Sequence, residues 1–491
     1  MKTLSKSMIG KVNRPIRVVQ FGGGNFLRGF ADYMIDIANE KGLFDGDIVI
    51  VRSIDSGSQD KFRDQDCLYT VSLRGNVNGE AKVMNRIVTS VADTVDACGE
   101  YEKYMGLAEL SSLRFVISNT TEAGIVYDET DAFEFAPPKS FPGKLTKFLY
   151  HRFENFQGDL TKGLVMLPVE LIDDNGVMLK KCVMQLTRRW GLGDEFKNWV
   201  EEACVFTSTL VDRIVTGYPR ANEKEEWEKL GYEDRIMVTG EPFALWVIES
   251  DKEISEELPL DKAMADMPGM DVIFTDDHKP YKQRKVRILN GAHTSFVLAA
   301  YLAGKDIVRD SMQDEDIRSF MLKTLYDEVI PTLSLPKEEL EEFAGAVVNR
   351  FNNPYVDHSL LAISLNSVSK WRARCMPSFL EYIDKFGKLP VHLTFSLAAL
   401  IAFYSGTELR GKALIGHRGG QEYNIVDDLS VLEFFRDNCE KETMEFVSAF
   451  LGREDFFGQD LNKVPGLTGA VTAYLDDIRA NGMRAALCKL S

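Results

Sequence analysis

The sequence predicts an α/β protein in two parts: a doubly wound domain with insertions over residues 1–280, then a mainly α-helical domain over residues 281–491. Three observations carry that reading. Residues 16–55 run in the order strand, glycine turn, helix, strand, acidic residue. Two later runs, 115–118 and 164–172, are short and apolar, and polar residues follow them at once. Past Tyr281 the apolar spacing changes to the helical period and holds it through most of the remaining chain.

Taken in order, residues 16–21 (IRVVQF) are rich in β-branched side chains and read as a buried strand. GGGNFLRG follows, and then FADYMIDIANEKG, whose apolar spacing suits a helix ending near Gly42. A second strand runs from Asp47 to Ser53 and stops at IDSGS. This is the order of a dinucleotide-binding βαβ unit, which makes the domain Rossmann-type. Glycines stand at 22, 24 and 29, so the third falls two positions later than in G-x-G-x-x-G. Such a turn lets backbone N–H groups approach a pyrophosphate, although a ligand-free glycine turn fits the same letters. The stretch offers Phe21, Gly22, Gly24, Asn25 and Phe26 as cofactor-binding residues. Asp55, 31 residues after Gly24, is placed to accept from the adenosine ribose hydroxyls and would favour NAD over NADP. Arg52 beside it is equally able to meet a 2′-phosphate.

Residues 115–118 (FVIS) form another buried strand, and NTTEAG follows. Open α/β sheets bind ligands at the carboxyl ends of their strands, which points to Thr121 and Glu122; turn and cap chemistry is the alternative. PPKSFPGKL at 137–145 reads as a loop leading into the helix TKFLYHRFENF. LVMLPVELI at 164–172 reads as a strand, FTSTLVDRIV at 206–215 as extended chain, and EPFALWVIE at 241–249 as an apolar return.

Composition bounds the function. The chain has 491 residues, 45% hydrophobic and 27% charged, with a net charge of −17. That balance argues against nucleic acid or an anionic membrane surface as the main partner. Seven scattered cysteines and six histidines form no C-x-x-C pair and no cluster of zinc spacing, so no metal is expected. No apolar run reaches membrane-spanning length and the N-terminus has no apolar leader, which predicts a cytoplasmic protein.

The richest stretch chemically is KVRILNGAH, with Lys285, Asn290 and His293 set in an apolar segment. In an α-helix Asn290 would lie roughly 140° from Lys285, with His293 between them. A desolvated lysine there can act as acid or base, an asparagine can donate to a developing alkoxide, and a histidine can orient substrate. Taken alone, the three letters more often describe a snorkelling lysine, a capping asparagine and a core histidine.

Nine segments occurring in order decide between these readings: FGGGNFLRGF, ISNTTEAGI, PPKSFPGKL, LPVELIDDNG, LVDRIV, EPFALWVIE, KVRILNGAH, RFNNPY and SKWRAR. In them the chain resembles the long-chain mannitol dehydrogenase family of polyol and sugar-acid dehydrogenases. The resemblance implies an NAD-dependent oxidoreductase acting without metal, in which Lys285 is the acid/base, Asn290 polarises the reacting oxygen and His293 helps bind substrate. It also places Asp212 and Arg350 at the substrate. Three positions depart from the polyol members: Leu171 stands for an asparagine, Lys282 for an acidic residue and Asn353 for a histidine. Lys282 and Asn353 are therefore substrate-binding candidates for a different polar end, and a keto sugar acid is the expected small-molecule substrate. Lys370, Arg372 and Arg374 add positive charge, which elsewhere would be ordinary solvated surface.

Overall fold

The computed structural model describes residues 1–52, 59–77, 79–120, 124–250 and 252–490. The chain forms two compact units, Met1–His278 and Lys279–Ser491. The first is built on a six-stranded, wholly parallel sheet. Its spatial order is Val91–Asp96, Asp47–Arg52, Ile16–Phe21, Phe115–Ser118, Val165–Pro168, Val205–Phe206. Counted along the chain that order is 3-2-1-4-5-6, the doubly wound order of dinucleotide-binding domains. Alternate residues face opposite ways. Val18, Ile48, Ile50 and Ile117 enter one buried cluster, while Val19, Phe21, Val49 and Val51 enter another. Burial on both faces explains why these strands read as unbroken apolar runs.

Two smaller sheets complete this unit. One has the order Val215–Gly217, Val238–Gly240, Tyr69–Val77, Glu80–Val88, and the other Met270–Thr275, Ala244–Glu249, Ser208–Asp212. The hairpin of Tyr69–Val77 with Glu80–Val88 was not anticipated, although Asn-Gly separates its strands in the sequence. Two expectations need correction. The run 164–172 is a strand only over Val165–Pro168, because the chain turns away after the proline. The helix expected after residues 137–145 begins within them, at Phe141, where the Ser140 hydroxyl accepts from Gly143 N and caps its start.

Beneath the glycine turn Gln20, Asp32 and Tyr69 are fully buried. Gln20 Nε2 donates to Gly22 O (3.1 Å), and the Tyr69 hydroxyl donates to Asp32 (2.7 Å). Burial pushes the Asp32 carboxyl up to about 7, against the Tyr69 hydrogen bond and the nearby Arg28 guanidinium, which pull it down. The folded chain thus keeps a proton that the unfolded chain releases near ~3.9. Stability from this group is complete at low pH and is lost as the pH rises from about 4 to about 7. Asp32→Asn needs no proton and should gain in Tm relative to the parent at pH 8 compared with pH 5. A Tm difference independent of pH would contradict the assignment.

The second unit is helical, with one antiparallel sheet of Glu408–Arg410, Ala413–Arg418 and Gln421–Ile425 that the helical reading did not foresee. Helices Gly291–Leu302 and Val391–Phe403 are buried nearly all round, as their continuous apolar sequences require. No helix among the described residues is long and apolar enough to cross a membrane.

Candidate functional site

In the first unit the glycine turn sits where the sheet order reverses, between Ile16–Phe21 and Phe115–Ser118. Gly22 has φ +114°, and a Cβ there would stand 2.8 Å from Asn119 O, so only glycine fits. Gly24 has nothing within 4 Å of a Cβ position, which leaves its backbone open to a ligand. The third glycine falls late because a four-residue turn, Asn25–Arg28, precedes the main helix Ala31–Glu40. Gly29 instead lets that segment pack on Val215 and Val238, each 3.2 Å from its Cβ position. Phe21 is wholly buried against Phe141 (5.0 Å between centroids) and offers the turn only its backbone. Asn25 is exposed and accepts from Arg28 (2.6 Å), while Phe26 stacks on Phe30 (4.9 Å).

Arg52 is buried and faces Asp96 on the adjacent strand at 3.7 Å. Asp55, Thr121 and Glu122 lie outside the described residues. Glu170 is buried and accepts from Ser118 Oγ (3.1 Å), Thr120 N (3.0 Å) and Thr120 Oγ1 (3.0 Å). Burial raises its carboxyl pKa against those hydrogen bonds. Leu171 beside it is exposed. Asp212 is buried at the end of Ser208–Asp212, opposite Leu245. Arg213, whose guanidinium burial lowers to about 10, donates to the carbonyls of Gly29, Glu241 and Pro242.

In the second unit Lys285, Asn290 and His293 lie on one continuous helical run, but its geometry corrects the α-helical expectation. Lys279–Arg284 is α, Lys285–Asn290 is a π turn, and Gly291–Leu302 is α again. Gly291 N donates to Val286 O, five residues back. Such a turn holds more residues than an α-helical one, so Asn290 lies closer to the Lys285 side of the helix than the roughly 140° of an α-helix would place it. The flanking arginines pin the turn from its other sides. Arg284 donates to Glu339 (2.6 Å) and Arg287 is paired in fork geometry with Glu381. At Gly291 a Cβ would stand 3.2 Å from Arg374 O, so the helix passes tightly against the end of Ser367–Arg374.

Lys285 and Asn290 are half-buried. Asn290 O accepts from Thr294 Oγ1 (2.9 Å), and its side-chain amide bonds to no other described residue. The His293 ring lies on Phe351 (centroids 4.2 Å) and meets His358 edge-on (5.2 Å). Its Nε2 is buried without a described partner. Burial first, then the neighbouring His358 and the charges of Arg350, Arg374 and Lys370, hold the imidazole well below its ordinary pKa. It is neutral at neutral pH. Arg350 ends the helix Lys337–Phe351, and Asn353 is buried just beyond, its side-chain oxygen accepting from Tyr355 N (3.0 Å). Lys282 is half-buried one turn before Lys285. Among the described residues no group of three His, Cys, Asp or Glu side chains could hold a metal ion.

Residues 16–262 match the family model of the mannitol dehydrogenase Rossmann domain, and residues 277–479 that of the mannitol dehydrogenase C-terminal domain. The chain belongs to the mannitol dehydrogenase family. It is 44% identical over 484 residues to an altronate oxidoreductase of Bacteroides thetaiotaomicron, covering 98% of each chain. It is also 44% identical over 498 residues to that of Yersinia enterocolitica, covering 100% of each. Pseudomonas fluorescens mannitol 2-dehydrogenase, solved as a ternary complex with NAD and D-mannitol, matches with a TM-score of 0.66 over 100% of this chain and 99% of its own. A substrate-free D-sorbitol dehydrogenase matches with a TM-score of 0.76 over 99% and 100%. At 21% identity both structures speak for the fold.

As a member of the mannitol dehydrogenase family, the chain is an oxidoreductase acting on CH–OH groups. Two neighbours of the candidate site escaped sequence reasoning. His358 was one signal within reach, as one of only six histidines and eight residues past Arg350. Glu170 was noticed only as the neighbour of Leu171, and its grip on Ser118 and Thr120 is a tertiary fact that no local spacing announces.

Proposed function

We propose that this mannitol dehydrogenase family chain is an NAD-dependent sugar-acid dehydrogenase that interconverts D-tagaturonate and D-altronate in hexuronate breakdown. The observation that supports the chemistry is the π turn, which brings Asn290 round towards the side of Lys285, with His293 and its Nε2, which has no described partner, one turn further on. The altronate oxidoreductase relatives supply the substrate class.

The residues of the first unit suit NAD. The positive φ at Gly22, the open Cβ position at Gly24 and the Gln20 bond beneath them form a turn that the pyrophosphate can approach. Bound cofactor supplies or receives the hydride. Lys285 gives its proton to the substrate oxygen in reduction and takes it back in oxidation. The Asn290 amide donates to the same oxygen as negative charge develops on it. His293, held neutral, presents Nε2 as a hydrogen-bond partner for a substrate hydroxyl without adding charge. Lys282, Arg350, Asn353 and Asp212 are the further substrate contacts.

A single assay series tests this reading: oxidation of NADH and of NADPH with tagaturonate, fructuronate and fructose. The expected result is the highest kcat/KM with tagaturonate and NADH. Arg52 is committed to Asp96, which leaves it poorly placed to greet a 2′-phosphate. Preference for NADPH would overturn the cofactor assignment, and equal efficiency on fructose would overturn the sugar acid.

A further inference from the structure

Helix Ser367–Arg374 packs so closely on the start of Gly291–Leu302 that its last carbonyl leaves no room for a Cβ at Gly291 without crowding, and Cys375 Sγ donates to Gly291 O (3.6 Å). Two of its residues, Lys370 and Arg374, are four positions apart and share one face. Like charges at that spacing repel, and both side chains are half-buried. Arg374 makes one hydrogen bond among the described residues, to the neutral Thr294 Oγ1 (3.4 Å), and that hydroxyl in turn donates to Asn290 O (2.9 Å). Lys370 donates to the Ile363 carbonyl (2.9 Å). Asp427, whose charge acts on it, already accepts from the Tyr404 hydroxyl (2.5 Å) and Asp428 N (2.8 Å). Both cations act electrostatically on His293, together with Arg350 and His358. In a chain of net charge −17, this concentration of partly desolvated positive charge runs against the whole-molecule field.

We infer that Arg374, assisted by Lys370, forms a seat for the carboxylate of the substrate, one helical turn beyond the oxygen held by Asn290. The inference rests on the sugar-acid reading above. A carboxylate in this place supplies the charge that the protein withholds, and the guanidinium offers it two parallel donors. The seat would distinguish an acid from a neutral ketose of the same length, because the neutral molecule brings no anion to the guanidinium. The bland account is that Arg374 merely favours the carbonyl end of its helix. Arg372 serves as the control, since it shares that last turn but is exposed and lies against Gly458.

The test is steady-state kinetics of the full-length protein with tagaturonate and with fructose, for the parent, Arg374→Gln, Arg374→Lys, Lys370→Gln and Arg372→Gln. Loss of a charge-assisted pair should raise KM for the acid by about 10- to 100-fold in Arg374→Gln, with kcat largely kept. Lys370→Gln should move KM the same way by less, Arg374→Lys should restore part of the loss, and Arg372→Gln should match the parent. If Arg374→Gln equals Arg372→Gln, or loses acid and fructose turnover alike, the seat is refuted while the sugar-acid reading stands. If the parent reduces no keto sugar acid, that reading fails and the seat falls with it. Should circular dichroism show Arg374→Gln unfolded, an unchanged KM in Lys370→Gln refutes the seat by itself.

Discussion

Lys285→Ala will lower kcat for carbonyl reduction by about 10²–10⁴-fold, the usual contribution of a positioned general acid. Affinity for the cofactor should survive, because the glycine turn at Gly22 and Gly24 belongs to the other unit. Lys285→Arg sharpens the result. Arginine keeps the positive charge but holds its proton at any working pH, so it can steady an alkoxide and cannot exchange a proton with it. It should therefore be nearly as slow as the alanine variant. Turnover near the parent rate in either variant, with an unaltered pH profile, would show that Lys285 has no part in proton transfer. NADH titration of the same preparations separates a chemical loss from a binding loss.

Asn290→Ala should cost about 10²–10³-fold in kcat, the typical effect of removing one donor to a developing oxyanion. The expected pattern is a fall in kcat with little change in KM, because the hydrogen bond gains strength as the oxygen becomes charged. The fold should tolerate the change. The side-chain amide has no other described partner, and the bond from Thr294 is made to the backbone carbonyl, which alanine keeps. Asn290→Asp should be slower still, since it sets a carboxylate beside the forming alkoxide. A variant altered only in KM would instead make Asn290 a ground-state contact.

How far these features can be read from the sequence depends on whether their cause is local. IRVVQF, DIVIVR and FVIS are legible as strands because the middle of each is buried on both faces and is mostly apolar. Val91–Asp96 lies at the edge of the same sheet, partly exposed and interrupted by Asp93 and Thr94, and carries no such run. Lys285, Asn290 and His293 are visible as letters, and the resemblance to known dehydrogenases adds roles to them. Their alignment is not visible. A π turn leaves no mark in residue preference, and the contacts that flank it, with Glu339, Glu381 and the backbone at Arg374, are all distant in sequence. The groups that act on His293 come from residues 350, 358, 370 and 374, which only tertiary packing gathers.

The π turn also has a consequence for how this chain can diverge. It is an α-helical turn holding one residue more. Every position downstream, through Gly291–Leu302, is phased by that extra residue, about 100° from where an uninterrupted α-helix would place it. Deleting any one residue between Lys285 and Asn290 would restore ordinary helix and swing His293 off its Phe351 platform, while setting the side chains of the buried helix Gly291–Leu302 against the wrong neighbours. Lineages descended from this chain are thus free to exchange side chains such as Lys282 and Asn353 in search of new substrates, but the length of this stretch is closed to insertion and deletion.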